Sequence, residues 1–339
     1  RMLSGLLATQ DFLTVLTGDE SLCSRPMQRI IKPLEAMGAH VSSDAGRPPL
    51  TLQGSRALRP ITYKLPVASA QVKSCILFAA VGANGTTEIV EPLRTRDHTE
   101  RLFGAFGVPV ELSGEAQMLR LTGPAWFKPR HINIPGDISS AAYFVAATLL
   151  VPNSELIVEQ VSLNPTRIEF ISLFQKWGAE ISLTDIIDDC NEPAGSIVVR
   201  NSRMQMSNRD QARVLGQPLI PALIDELPLI AVVGTQLPGG ITIKDAGELR
   251  VKETDRLKAT AEGLKAMGAE VEEHRDGLVI GGPVQLRGAR VDSRRDHRIA
   301  MAFSVAALVA EGETEIAGAD CVDVSFPEFF QFLERLTKD

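Results

Sequence analysis

The sequence predicts an α/β chain made of a repeated unit, in which nearly all-apolar helices alternate with amphipathic ones and short strands follow both. Three observations carry this. Four phrases resemble one another: "LEAMGAHV" (34–41), "FGAFGVPV" (103–110), "FQKWGAEI" (174–181) and "LKAMGAEV" (264–271). Each reads as the end of an amphipathic helix, a glycine suited to a left-handed C-cap, then a strand of alternating character. Gly38, Gly107, Gly178 and Gly268 recur about every seventy residues, with one longer interval where an insertion intervenes. A second set interleaves with the first: "ILFAAVGANGTTEIV", "VAATLLVPNSELIV", "LIAVVGTQLPGGITI" and "FSVAALVAEGETEIAG". A helix that apolar should be buried on most of its sides. Finally, 339 residues that are 44% hydrophobic and 23% charged suit a packed core and two domains.

In chain order, residues 1–18 read as an apolar helix entered after its start, followed by the first amphipathic helix and the extra strand "PLTLQG". The second apolar helix leads into "FGAFGVPV" and another extra strand, "MLRLTG". Two further pairs follow, and "SFPEFFQFLERLTKD" closes the chain as an amphipathic helix with no strand after it. An arginine at position 1 that opens a helix leads to the expectation that an N-terminal part precedes it. No GxGxxG follows a strand and opens a helix, so dinucleotide binding has no support.

Composition excludes several classes. A net charge of −7 argues against broad nucleic-acid binding, so an anionic ligand must be held by local arginine and lysine clusters. No apolar run reaches bilayer length and the N-terminus lacks signal-peptide architecture, so neither a membrane nor export is expected. Cys23, Cys75, Cys190 and Cys321 lie far apart without a CxxC pair and read as core thiols of a reducing cytoplasm. The five histidines are scattered, and no metal site is expected.

Charged clusters fall at equivalent places in the repeat, where helices begin: "CSRPMQR" (23–29), "RTRDHTER" (94–101), "LRVKETDRLK" (249–258) and "SRRDHRIAMAF" (293–303). Asp97 and Asp296 sit where N-caps belong. The arginines need another reason, because a cation at a helix N-terminus is mildly unfavourable; a shared anion site supplies one. The stretch "KDAGELRVKETDRLKAT" (244–260) carries nine charges in seventeen positions, straight after an apolar segment. "IPALIDELPLIAVV" sets Asp225 and Glu226 between apolar runs. One acid there can cap a helix, but two point to a group with a task, since an unpaired buried carboxylate is expensive. "LPVASAQVKSCILFAA" leads into its apolar helix through the polar Ser69 and Gln71.

With "GDISSAAYFVAA" and "SFPEFF", these stretches closely resemble the 5-enolpyruvylshikimate-3-phosphate synthase family over essentially the whole chain. The resemblance implies a two-domain enolpyruvyl transferase fold, an inside-out α/β barrel of repeated βαβαββ units with buried parallel helices. The crossover would lie at "INIPGD", giving a first lobe of residues 1–135 and a second of residues 136–339. It implies transfer of the enolpyruvyl group of phosphoenolpyruvate to the 5-hydroxyl of shikimate 3-phosphate, with release of phosphate and no metal or organic cofactor. By motif, Glu253 is the candidate proton donor to the methylene carbon, Asp225 holds or deprotonates the attacking hydroxyl, and His297 lies by the leaving phosphate. Ser69, Ala70, Gln71, Arg96, Asp225 and Lys252 would bind shikimate 3-phosphate; Arg25, Gln71, Arg256 and Arg298 would bind phosphoenolpyruvate. The chain departs from the family at Val324, where many members carry lysine, and at Ala70, a serine in much of the family.

Two alternatives differ in what they require. The sister family that acts on UDP-N-acetylglucosamine carries a loop cysteine several residues before an Arg–Pro pair, whereas Cys23 lies two residues before Arg25-Pro26. A non-catalytic repeat lobe needs only the apolar periodicity, and neither the two acids nor four arginine-bearing helix starts. The family's N-terminal lysine–serine motif and glycine–threonine turn do not occur before Arg1. The expectation is therefore that residues 1–339 alone are inactive or nearly so, the missing segment being supplied in the full-length chain.

Overall fold

The computed structural model describes residues 1–113, 117–205 and 213–338. The chain divides into two compact units, Arg1–Asn133 with Asp188–Glu192, and Ile134–Ile187 with Pro193–Asp339. Each unit has its own hydrophobic core.

The first unit contains α1 (Met2–Ala8), β1 (Leu13–Leu16), α2 (Glu20–Ser24), α3 (Gln28–Met37), β2 (His40–Asp44) and β3 (Arg47–Gln53). It continues with β4 (Thr62–Lys64), α4 (Ala70–Ala80), β5 (Gly85–Val90), α5 (His98–Ala105), β6 (Glu111–Ser113) and β7 (Met118–Gly123). The latter six elements make one full βαβαββ repeat. Strand β4 pairs parallel to β5, and β7 pairs antiparallel to both β5 and β6, in the order β4-β5-β7-β6. The former six follow the same pattern from its first helix onward, with strand order β1-β3-β2.

The second unit opens with α6 (Ile138–Leu150), β8 (Glu155–Ser162), α7 (Glu169–Lys176), β9 (Glu180–Asp189) and β10 (Glu192–Arg200), whose strands order as β8-β10-β9. Next come β11 (Val214–Leu215), α8 (Ile220–Leu223), α9 (Leu227–Gly234), β12 (Ile241–Ile243), α10 (Arg256–Ala266), β13 (Val271–His274) and β14 (Gly277–Ile280). Their sheet, β11-β12-β14-β13, copies the order and strand directions of β4 to β7. The chain then forms β15 (Arg290–Asp292), α11 (His297–Ala307), β16 (Glu315–Ala317) and α12 (Phe329–Lys338), with β15 parallel to β16.

The repeat read from the sequence is thus present as repeated topology, and its punctuation works as the residue types require. Gly38, Gly107, Gly178 and Gly268 all have positive φ, between 85° and 104°. A Cβ at Gly38 or Gly268 would meet nothing within 4 Å, so backbone conformation rather than space demands glycine there. The apolar helices are the buried ones: every residue of α9 is buried, as are eleven of the thirteen in α6. Helices α10 and α11 approach so closely that a Cβ on Gly263 would overlap the ring of Phe303. In the "SFPEFF" stretch, Phe329 packs against Tyr143 and Phe144 of α6, at ring separations of 6.1 and 5.4 Å. That motif is therefore a packing feature against the middle of α6. Of the four cysteines expected in the core, only Cys75 is fully buried, and burial pushes its thiol up to about 12. The other three are half-buried, because they lie in or beside connecting segments rather than inside an apolar helix.

Candidate active site

In the second unit the charged stretch 244–260 does not form one helix. It leaves β12, makes a 3₁₀ turn over Gly247–Val251, crosses an extended link at Lys252 and starts α10 at Arg256. Asp255 caps that helix by accepting from the Lys258 amide at 3.0 Å. The break is what separates Lys252 and Glu253 from the helix and turns Arg256 inward.

Arg256 is 1% exposed and holds three carboxylates from three segments. Its Nε donates to Asp296 Oδ2 at 2.8 Å, one terminal nitrogen donates to Glu253 Oε2 at 2.7 Å, and the other lies 3.5 Å from Asp225 Oδ1. Burial alone would make the guanidinium less basic, but Asp296 and Glu253 raise its pKa above the ordinary value. Asp296 caps α11 through the Arg298 amide at 2.9 Å while it binds Arg256, so one buried carboxylate fixes two helix starts.

Asp225 follows α8 in the turn that leads to α9, and it faces three cations. Arg298 Nη2 is 3.6 Å from its Oδ2, and Lys252 Nζ is 3.9 Å from its Oδ1, beside Arg256. Arg298 also donates to the Asp225 carbonyl at 3.3 Å. Its guanidinium is buried, which would lower its pKa, yet Asp225 foremost among its neighbours drives it well above the usual range. His297, in the first turn of α11, has its pKa lowered by burial and then by the Arg298 charge.

Sequence reasoning left several neighbours without a role. Glu226 is buried, accepts from Ser139 Oγ at 2.5 Å and lies 3.9 Å from Arg298. Burial raises its pKa. It stands at the N-cap position of α9 without capping it, so the second acid of the Asp225–Glu226 pair is used for tertiary contact. Arg167 donates to Ser139 and lies 3.8 Å from Asp137, the cap of α6. These partners are far apart in sequence, Ser139 and Glu226 by 87 positions, and no local pattern joins them.

In the first unit Ser69 is the N-cap of α4, accepting from the Val72 amide, and Ala70 and Gln71 are that helix's first two residues. Gln71 is exposed at its surface and accepts from Arg1 at 2.7 Å. Arg25 closes α2, two residues before the N-cap of α3, and Arg96 lies two residues before α5. All four arginine-bearing clusters are at helix starts, as read from the sequence. Asp97 stands at the N-cap position of α5, but its side chain makes no cap bond; it binds Arg94 at 3.1 Å and Arg101 at 2.9 Å instead. The expected cap loses to two guanidinium groups, which offer a carboxylate stronger bonds than a backbone amide does. Val324 is 78% exposed at the end of the 3₁₀ segment Ala319–Val324.

The family EPSP synthase (3-phosphoshikimate 1-carboxyvinyltransferase) matches residues 1–333. The chain belongs to the EPSP synthase family. It is 47% identical over 340 residues to the 3-phosphoshikimate 1-carboxyvinyltransferase of Thermodesulfovibrio yellowstonii, covering 100% of this chain and 77% of that relative. The enzyme of the same name from Solibacter usitatus is 48% identical over 339 residues, covering 100% and 78%. The solved EPSP synthase of Acinetobacter baumannii superposes with a TM-score of 0.85 at 37% identity, over 99% of this chain and 76% of that one. The enolpyruvyl transferase NikO of Streptomyces tendae superposes with a TM-score of 0.77 over 99% of this chain and 75% of that one, at 16% identity. That last likeness bears on the fold alone. The fold is the two-domain enolpyruvyl transferase fold, and EPSP synthase membership disfavours both the UDP-N-acetylglucosamine branch and a non-catalytic lobe.

Proposed function

We propose that Asp225 and Glu253 carry the two proton movements of an enolpyruvyl transfer, with Arg256 as their common anchor. The chain is a transferase of the shikimate pathway, serving aromatic amino-acid synthesis: it moves the enolpyruvyl group of phosphoenolpyruvate onto the 5-hydroxyl of shikimate 3-phosphate. In the proposed course, Asp225 accepts the hydroxyl proton while the oxygen bonds to C2 of phosphoenolpyruvate. Glu253 delivers a proton to the methylene carbon, which becomes a methyl group in a tetrahedral adduct. Loss of phosphate and return of one methyl proton to Glu253 then give the enol ether. The hydroxyl proton taken by Asp225 leaves with the phosphate as hydrogen phosphate, and Glu253 regains the proton that it gave, so both groups end as they began.

The observation that carries this reading is the shared guanidinium: two carboxylates assigned to opposite proton roles are tied to one buried arginine, at 3.5 and 2.7 Å. Such pre-set geometry lets a site act without reorganising as charge develops. Arg298 and Arg25 would hold the phosphate and carboxylate of phosphoenolpyruvate with Arg256 and Gln71, and His297 would face the leaving phosphate. Ser69, Ala70, Gln71, Arg96 and Lys252 would bind shikimate 3-phosphate. A helix start such as that of α4 adds free N–H groups and a positive dipole end for its phosphate.

The net charge of −7 suits small anions held by local arginines, not nucleic acid. No helix among the described residues is long and apolar enough to cross a membrane. The reading puts the enzyme in the cytoplasm, where four unbridged cysteines keep their thiols. Phosphate release tests it: the native enzyme should release phosphate from phosphoenolpyruvate when shikimate 3-phosphate is present and not when UDP-N-acetylglucosamine replaces it. The opposite dependence would overturn the reading.

A further inference from the structure

The first unit buries a charged group that the reaction does not use. Lys73, on the first turn of α4, is 0% exposed. Its Nζ lies 2.6 Å from Glu100 Oε1 and 3.3 Å from Glu91 Oε2. Glu91 is buried as well and Glu100 largely so, their side chains 3% and 9% exposed. Glu91 is the first residue after β5, and Glu100 lies in the first turn of α5. One ammonium on α4 therefore grips the segment that joins β5 to α5 at both of its ends. Two more bonds follow the same line: Thr95 donates to Glu91, and Ser74 of α4 pairs with Thr99 of α5 at 2.6 Å.

That joining segment carries Arg96; Ser69, the N-cap of α4, and Gln71 lie four and two positions before Lys73. An ion trio is a poor device for stability alone. Replacing buried ion pairs with apolar side chains of similar size is often neutral or better, whereas a three-way bond between segments fixes their spacing. Burial raises the Glu100 carboxyl despite Lys73, consistent with a cluster placed for geometry at some electrostatic expense.

We propose that Lys73 is a positioning residue: with Glu91 and Glu100 it locks the Arg96 segment to the start of α4, and so sets the geometry of the shikimate 3-phosphate subsite. This rests on the reading above that Arg96, Ser69 and Gln71 bind that substrate. Lys73 touches no substrate itself. Its effect should fall on shikimate 3-phosphate through Arg96, since Gln71 stays in place on α4 and Arg256 and Arg298, assigned to phosphoenolpyruvate, belong to separate contacts.

The test uses the full-length native enzyme and three variants. Lys73→Met/Glu91→Gln/Glu100→Gln removes the charges together and leaves no buried ion without a partner. Glu91→Gln alone keeps the shape and weakens one arm. Arg96→Ala reports on the subsite directly. Calorimetric titration should show shikimate 3-phosphate binding weakened on the order of ten- to a hundredfold in the triple variant, the scale of a misplaced binding group, and less in Glu91→Gln. The KM for phosphoenolpyruvate at saturating shikimate 3-phosphate should stay within about twofold in both, far below that scale. If Arg96→Ala leaves shikimate 3-phosphate binding unchanged, the subsite reading itself is wrong. If Arg96→Ala weakens it while the Lys73 and Glu91 variants bind normally, or lose both substrates equally, the positioning role is wrong. Should the triple variant not fold, Glu91→Gln decides by the same split.

Discussion

The two units each bury a cation among carboxylates, and the clusters differ in how far they are closed. Around Lys73 the lysine and Glu91 are sealed, at 0% and 3%, Glu100 is 9% exposed, and the bonds join separate segments of the chain. Around Arg256 only the guanidinium and Asp296 are sealed, at 1% and 0%, while Glu253 is 21% exposed and Asp225 12%. Closed ion clusters hold geometry. A half-open cluster can hold geometry on its inner side and offer acid, base and cation to a ligand on its outer side. One arginine thus separates the structural carboxylate, Asp296, from the two proposed to react.

The comparison can be broken most severely at the sealed centre. Arg256→Met leaves Asp296 buried without its guanidinium, and removing one partner of a buried pair costs about 3–5 kcal/mol. Denaturant unfolding should show a loss of that size together with loss of turnover; a stability change near zero would mean that Asp296 does not need Arg256. Next in size is Arg298→Ala on the open side. Its removal should raise the KM for phosphoenolpyruvate about tenfold to a hundredfold, the worth of a charge-assisted hydrogen bond, with stability less affected. An equal loss for shikimate 3-phosphate would blur the assignment.

The smallest effect sharpens the comparison through pH. Burial and Arg298 hold the His297 pKa below the ordinary value of about 6.5. A group whose folded pKa is depressed favours the fold fully above its unfolded pKa and loses that contribution as pH falls through the folded value. Stability should therefore decline from about pH 6.5 downward, and His297→Gln should flatten part of that slope. Proton NMR of the His297 ring, with a midpoint at or above the free value, would contradict the assigned environment.

What could be read from the sequence followed local rules. Glycine after an amphipathic helix signalled left-handed caps at 38, 107, 178 and 268, and all four have positive φ. Near-continuous apolar runs signalled the buried helices α4, α6, α9 and α11. The arginine-bearing stretches were legible as helix starts, and α3, α5, α10 and α11 begin in them. What escaped depends on contacts between distant segments. Lys73 reads as a polar interruption of an apolar helix until Glu91 and Glu100 are placed beside it, 18 and 27 positions on. Asp97 occupies an N-cap position, and only the folded chain shows that Arg94 and Arg101 take its oxygens. Glu226 likewise acquires its partner Ser139 from another helix.

The central claim is that Glu253 exchanges a proton with the methylene carbon, and deuterium reports on it directly. With both substrates in D2O, the native enzyme should place deuterium on C3 of phosphoenolpyruvate and product, because the methyl group of the adduct can return any one of its three hydrogens. Glu253→Gln should bind both substrates, lower turnover by a factor on the order of a hundred or more, and lose this exchange to the same degree. Exchange by Glu253→Gln at the native rate would show that another group protonates the carbon.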